Sequence, residues 1–174
     1  MTKQKGAFMH DIKRVAFVFS AIAFAALSAF GGSMSKSVPK GWTEDYKKAC
    51  LNAKTGGKLV LLAFSGSDWC GWCVKMDRDI YSQNKFISKA KHKFALVMID
   101  NPKDRSILSP LAKSQNRALC ETFKVSGFPT AVVVRPDGTE VTRFVGYQGG
   151  GVEAFLKELN AVAETEAPNP PTGK

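Results

Sequence analysis

Residues 58–73 read KLVLLAFSGSDWCGWC. The run from Lys58 to Ser65 is continuously apolar between its ends, as in a strand covered on both faces. Gly66 to Trp69 reads as a short loop, and Cys70-Gly71-Trp72-Cys73 follows where the strand gives way to a helix expected to run from Cys73 to about Ala90. A cysteine at a helix N-terminus faces unpaired N–H groups and the positive end of the helix dipole. Both favour the thiolate, the species that attacks disulfides. Cys70 is therefore the candidate nucleophile. Cys73, one turn further on, is the candidate resolving thiol.

Such a pair can also serve as half of a zinc site or as a structural disulfide. Zinc needs two further ligands, and Cys50, Cys120, His10 and His92 form no second spaced pair. A structural disulfide closing so small a ring contributes little for its length. The strand-to-helix setting favours thiol–disulfide exchange, with no metal and no cofactor beyond the Cys70–Cys73 disulfide itself.

Outward from this motif the pattern alternates. Trp42 to Lys54 has helical spacing through Trp42, Tyr46, Ala49 and Ala53, with Thr43 as the expected N-cap and Gly56-Gly57 as the stop. Phe94 to Ile99 is a second buried strand. A proline-bearing loop spans 100–110, and Leu111 to Phe123 returns to helical spacing. Thr130 to Arg135 and Glu140 to Val145 are strands joined by the turn signal Pro136-Asp137-Gly138, and Val152 to Ala163 is a last helix. Helices between strands imply parallel pairs, and the last two strands a hairpin. The fold class is α/β: a mixed central sheet with helices on both faces.

The chain has 174 residues, 44% of them hydrophobic, which suits one domain. Lys3, Lys5, Lys13 and Arg14 precede an uncharged apolar run from Val15 to Phe30, and the small residues Gly31, Gly32 and Ser33 follow. This is the pattern of a secretory signal, with cleavage expected between Ala29 and Ser35. The run is shorter than the roughly 20 residues of a spanning helix, so an uncleaved anchor is the secondary reading. The expected organisation is a signal or anchor at 1–33, a linker at 34–41, a domain at 42–163 and a flexible tail at 164–174. The domain is expected in an exported, periplasmic space, tethered to the membrane if the segment is retained.

The formal net charge is +10. A basic surface suits acidic partners or anionic membranes. Lys85, Lys89, Lys91 and Lys93 cluster, but where a helix ends and a strand begins, which reads as a solvated face. There is no basic stripe interleaved with aromatics, so nucleic acid is not an expected partner. A monomer is expected.

The segment Trp69-Cys70-Gly71-Trp72-Cys73, its preceding apolar strand and the later Gly127-Phe128-Pro129-Thr130 resemble the thioredoxin family over roughly residues 40–163. In more detail the chain resembles exported bacterial thioredoxin-like proteins whose motif reads S-D-W-C-x-W-C. The resemblance implies a thioredoxin fold and a cis peptide before Pro129 beside the cysteines. It also implies substrate contacts from the backbone of Phe128 and from Gly146-Tyr147; Trp69, Gly71 and Trp72, in and beside the motif, are further candidate substrate contacts. Trp69 is expected mainly to pack and Trp72 to face partners. In that fold the helices carrying Cys50 and Cys120 cover one face, so a Cys50–Cys120 disulfide is weighed against two free thiols.

The sequence departs from the family in three ways. The buried Asp that assists the resolving cysteine is replaced by apolar residues at Leu62-Ala63-Phe64, and its lysine partner by Leu96. Gly-Trp stands between the cysteines. The stretch from Asp100 to Pro129 is long. The resulting expectation is an exported thiol–disulfide oxidoreductase acting on protein cysteines, supplied by a membrane-bound electron donor or reoxidant. The alternative is a binding or chaperone-like module in which the cysteines are secondary.

Overall fold

Three apolar strands lie side by side because each is covered on both faces. The computed structural model describes residues 38–166; the signal or anchor at 1–33 and the tail from 167 lie outside them. The central strand β1 (Leu59–Ser65) is buried throughout. It pairs in parallel with β2 (Phe94–Asp100), from Leu59 opposite Phe94 to Ser65 opposite Asp100. On its other side it runs antiparallel to β3 (Thr130–Val134), which pairs antiparallel with β4 (Glu140–Val145). The sheet order is β2-β1-β3-β4. The helix before β3 therefore returns the chain in the opposite direction, not parallel as the alternating pattern implied.

Alternation along the strands sorts the core into two layers. Leu61, Ala63, Met98 and Val133 face one helical layer, with Ile80, Phe86, Phe155 and Leu159. That layer comprises α2 (Gly71–Met76), α3 (Asn84–Ala90) and α5 (Gly151–Glu166). Val60, Leu62, Phe64, Ile99 and Val132 face the other, with Ala49, Ala53, Leu119 and Phe123. This second layer comprises α1 (Tyr46–Gly56) and α4 (Pro110–Thr122).

Several boundaries differ from the sequence reading, each for a physical reason. Helix α1 starts at Tyr46, capped by Asp45, whose carboxylate accepts from the Lys48 N–H at 2.9 Å. Thr43 is instead extended: its N–H donates to the Leu96 carbonyl and its carbonyl accepts from Met98 N–H, a bridge beside Val97. Trp42 is buried against Tyr81 and Phe86, and its Nε1 donates to the Tyr81 carbonyl at 3.0 Å. The helix expected from Cys73 to Ala90 is broken. Asp77–Tyr81 form a widened π turn, and α3 restarts after the extended Gln83. Both Ile80 and Tyr81, adjacent in sequence, are thereby buried.

The loop after β2 contains a 3₁₀ turn, Arg105–Ile107. Pro110 sits at the start of α4, where its missing N–H costs nothing. Helix α5 continues beyond Ala163 to Glu166, with Lys93 paired to Glu164 and Arg135 to Glu166. The expected tail thus begins in the last helical turn. Lys85 pairs with Glu153, and Lys58 donates to the Lys91 carbonyl, so part of the lysine cluster joins α3 to its neighbours.

Candidate active site

The end of β1 delivers the chain into a tightly held loop. Cys70 N–H donates to the Gly66 carbonyl at 2.9 Å. A Cβ on Gly66 would stand 2.4 Å from the Trp69 ring, so glycine is required for that ring to fold over the loop. The Asp100 carboxylate accepts from Ser67 N–H at 2.9 Å and Ser67 Oγ at 2.5 Å. Asp68 accepts from the N–H groups of Lys103 and Asp104, both at 2.9 Å. Those backbone donors, Asp104 foremost, hold its carboxyl below the usual range. Trp69 Nε1 donates to the Asn101 carbonyl at 2.8 Å. Asp68 is thus one half of a latch to the loop after β2.

Cys70 is the N-cap of α2: its Sγ accepts from Cys73 N–H at 3.2 Å. The two cysteines are disulfide-bonded, with Cα atoms 5.2 Å apart. Cys70 is 7% exposed and Cys73 2%. The Phe128–Pro129 peptide is cis, and the Pro129 carbonyl accepts from Gly146 N–H at 2.8 Å. The Trp69 and Phe128 rings meet edge to face at 5.4 Å, and those of Trp72 and Tyr147 lie 6.4 Å apart. Trp69 is both packed and 44% exposed; Trp72 is 61% exposed. Val74, which helical spacing from Cys73 predicts to face inward, is instead 53% exposed and adds further apolar surface.

A family profile described as a thioredoxin-like domain matches residues 46–163. The disulfide bond reductase DsbH of Chlamydia pneumoniae is 30% identical over 118 residues, covering 68% of this chain and 70% of that protein. The chain belongs to the thioredoxin-like family. The thioredoxin-related protein DsbJ of the same organism is 27% identical over 80% of this chain, which spans 39% of that longer protein. A solved structure of a DsbH oxidoreductase is 27% identical with a TM-score of 0.65, over 74% of this chain and 87% of that one. With the Cys70–Cys73 pair in place, this member of the family is a thiol–disulfide oxidoreductase.

In this thioredoxin-like domain, a second set of contacts joins the motif helix to the loop of Gly146 and Tyr147. The Tyr147 hydroxyl donates to Asp79 Oδ2 at 3.1 Å. Lys75 reaches the same oxygen at 2.6 Å, and its Nζ lies 5.4 Å from the centre of the Tyr147 ring. Arg78 contacts Oδ1 at 2.9 Å. Lys75 first, then Arg78, hold the Asp79 carboxyl down at about 2. A group with a depressed pKa contributes above its unfolded value and loses that contribution as pH falls through its folded one. The clamp is therefore expected to stay charged from neutral pH to about 2, read as the carboxyl shift of Asp79 across an acid titration. Asp79→Asn should raise KM for a protein disulfide about threefold, the scale of an exposed ion pair, with the rate of Cys70 alkylation unchanged. The spacing of Lys75 and Asp79, one helical turn apart, was visible in the sequence; the tie to Tyr147, 68 positions on, was not.

Cys50 and Cys120 project toward the same face, on α1 and α4, but both are free thiols; the weighed disulfide is not formed. Each has another neighbour: Cys50 lies against the Tyr46 hydroxyl, and Cys120 Sγ accepts from Asn101 Nδ2 at 3.3 Å. Burial pushes both thiols up. Their thiolate fraction at neutral pH falls accordingly, so alkylation should be slower than for an ordinary cysteine. Peptide mapping without reductant should return Cys70 joined to Cys73 and both other cysteines alkylated after unfolding. Among the described residues no group of three or more His, Cys, Asp or Glu is placed to hold a metal. No helix among them is long and apolar enough to cross a membrane.

Proposed function

We propose that this protein is an exported disulfide reductase of protein substrates, with Cys70 as nucleophile and Cys73 as resolving thiol. The observation that carries the reading is Cys70 Sγ at the cap of α2, facing the Cys73 N–H. The ring contacts of Trp69 with Phe128 and of Trp72 with Tyr147 support a substrate frame made of these residues, the cis Phe128-Pro129 turn and Gly146. An extended peptide lies along that frame, with its backbone against Phe128 and its apolar side chains on the two tryptophans. The Cys70 thiolate attacks one sulfur of the substrate disulfide, and the other leaves as a thiolate. Cys73 then attacks the Cys70 sulfur, releases the second substrate sulfur and closes the Cys70–Cys73 bond. The substrate gains two electrons and the pair loses two.

The reductive direction is supported by the relative named a disulfide bond reductase. Export is supported by the basic, apolar and small-residue order of residues 1–33. In that compartment a membrane-bound donor resets the pair, and the disulfide is the only redox group required. Equilibration with glutathione tests the direction. A potential near about −270 mV is expected; one near about −120 mV, the range of a strong oxidant, overturns the reductase assignment.

A further inference from the structure

Before Cys73 can resolve a mixed disulfide it must lose its proton, yet it is almost wholly buried. The strand beneath it offers no acceptor: Leu62, Ala63 and Phe64 are apolar and fully enclosed. Cys73 does, however, line a cavity of about 460 Å³ behind the motif, a volume with room for several waters. The cavity lies between the segment before α1, the ends of β1 and β2, and α2. Ser65, 9% exposed, lines it, and the Ser65 hydroxyl has no protein partner among the described residues.

Three carboxylates border the same space: Glu44, Asp77 and Asp100. Asp100 has both oxygens engaged by Ser67. Glu44 Oε2 is taken by the Ser109 hydroxyl at 2.5 Å, which leaves Oε1 as open as the second oxygen of Asp77, but Glu44 comes from the segment before α1 and not from the helix that carries Cys73. Asp77 has only Oδ1 engaged, by Ser82 Oγ at 3.0 Å, which leaves Oδ2 available among the described residues. Asp77 also stands four residues after Cys73 in continuous helical backbone, with its N–H on the Cys73 carbonyl. Residues so spaced share one helix face. The other charged or titratable groups facing this carboxylate are Lys40 and Glu44 from the segment before α1, Asp100 from β2, and Tyr81 from its own turn.

We propose that this cavity is the proton exit of Cys73, with Asp77 as acceptor and the Ser65 hydroxyl and cavity water as the relay. The Cys73 proton passes to the Asp77 carboxylate, and the thiolate attacks the Cys70 sulfur of the mixed disulfide. The Cys70–Cys73 bond forms while the bond from Cys70 to the substrate sulfur breaks. That sulfur leaves with the electron pair and takes a proton from solvent, and Asp77 returns its own proton through the cavity mouth. This assignment rests on the reading of Cys73 as the resolving thiol.

The test is single-turnover kinetics of the reduced full-length protein with a disulfide-bonded peptide, timing attack and resolution separately from pH 5 to 9. Failure of the wild type to form a mixed disulfide at Cys70 overturns the proposed function itself. Given that step, Asp77→Asn is expected to slow resolution about tenfold at neutral pH, the low end of general acid–base effects, and to move its profile to higher pH. Attack by Cys70 should change less than about twofold, and Asp77→Glu should restore most of the rate. Ser65→Val should slow resolution about threefold, because the relay is weakened but the acceptor remains. Wild-type resolution with an unmoved pH profile in Asp77→Asn overturns the proposal. So does an equal slowing at every pH that Asp77→Glu does not restore, which marks a structural role.

Discussion

Cys70→Ser is expected to lose insulin reduction down to the uncatalysed background, a fall of at least about a thousandfold, because a serine hydroxyl cannot replace a thiolate as the attacking group. The fold should survive. Serine is among the best N-caps, so its Oγ can take over the Cys73 N–H that Cys70 Sγ now accepts. Unfolding of the reduced forms should therefore differ little between wild type and variant. Cys73→Ser should behave differently. Its Cys70 still attacks, but nothing resolves the product, so a covalent complex with the substrate accumulates and disappears on adding dithiothreitol. Equal insulin reduction by wild type and Cys70→Ser would sink the assignment and return the binding-module reading, in which the basic surface and the exposed Trp69 and Trp72 hold the client.

The strands were legible because burial on both faces leaves a continuous apolar run, seen at Leu59–Ser65, Phe94–Asp100 and Thr130–Val134. The motif was legible because spacing and position coincide: Cys70 ends a loop and caps a helix. What the sequence hid depends on partners distant along the chain. Thr43 has the side chain of an N-cap, but Leu96 and Met98 draw its backbone into a bridge, and Asp45 becomes the cap. The direction of β3 depends on which strand it joins, which local periodicity does not encode. The break at Asp77–Tyr81 follows from burying both Ile80 and Tyr81, a packing demand that helical spacing alone does not announce. Asp68 and Asp100 read as loop polar residues because the groups they hold lie 33 to 36 positions away. The apolar stretch Leu62-Ala63-Phe64 did carry a true signal. It removed the expected acceptor from beneath Cys73 and so directs attention to the polar cavity behind it.

Asp100→Ala is expected to damage stability and activity together. Its carboxylate accepts from both the N–H and the hydroxyl of Ser67, and hydrogen bonds to a charged group are the stronger kind. Alanine strands both donors in a half-buried site, a cost of about 2–4 kcal/mol. For a domain of this size that is a drop in Tm of roughly 8–16 °C. In urea the midpoint should fall with the slope unchanged, since the same surface is exposed on unfolding. The loop that begins at Ser67 carries Trp69 and Cys70, so its release should lower kcat/KM for a protein disulfide about tenfold through misplacement. Asp100→Asn keeps one oxygen for the Ser67 N–H and offers an amide to the Ser67 hydroxyl, so about half the stability loss is expected. The pH dependence separates this role from that of Asp77. Asp100 acts by holding the loop, so its removal should scale the resolution rate evenly across pH, whereas loss of the Asp77 acceptor displaces the profile. An alkaline displacement in Asp100→Ala, with Asp77→Asn unmoved, would exchange the two assignments.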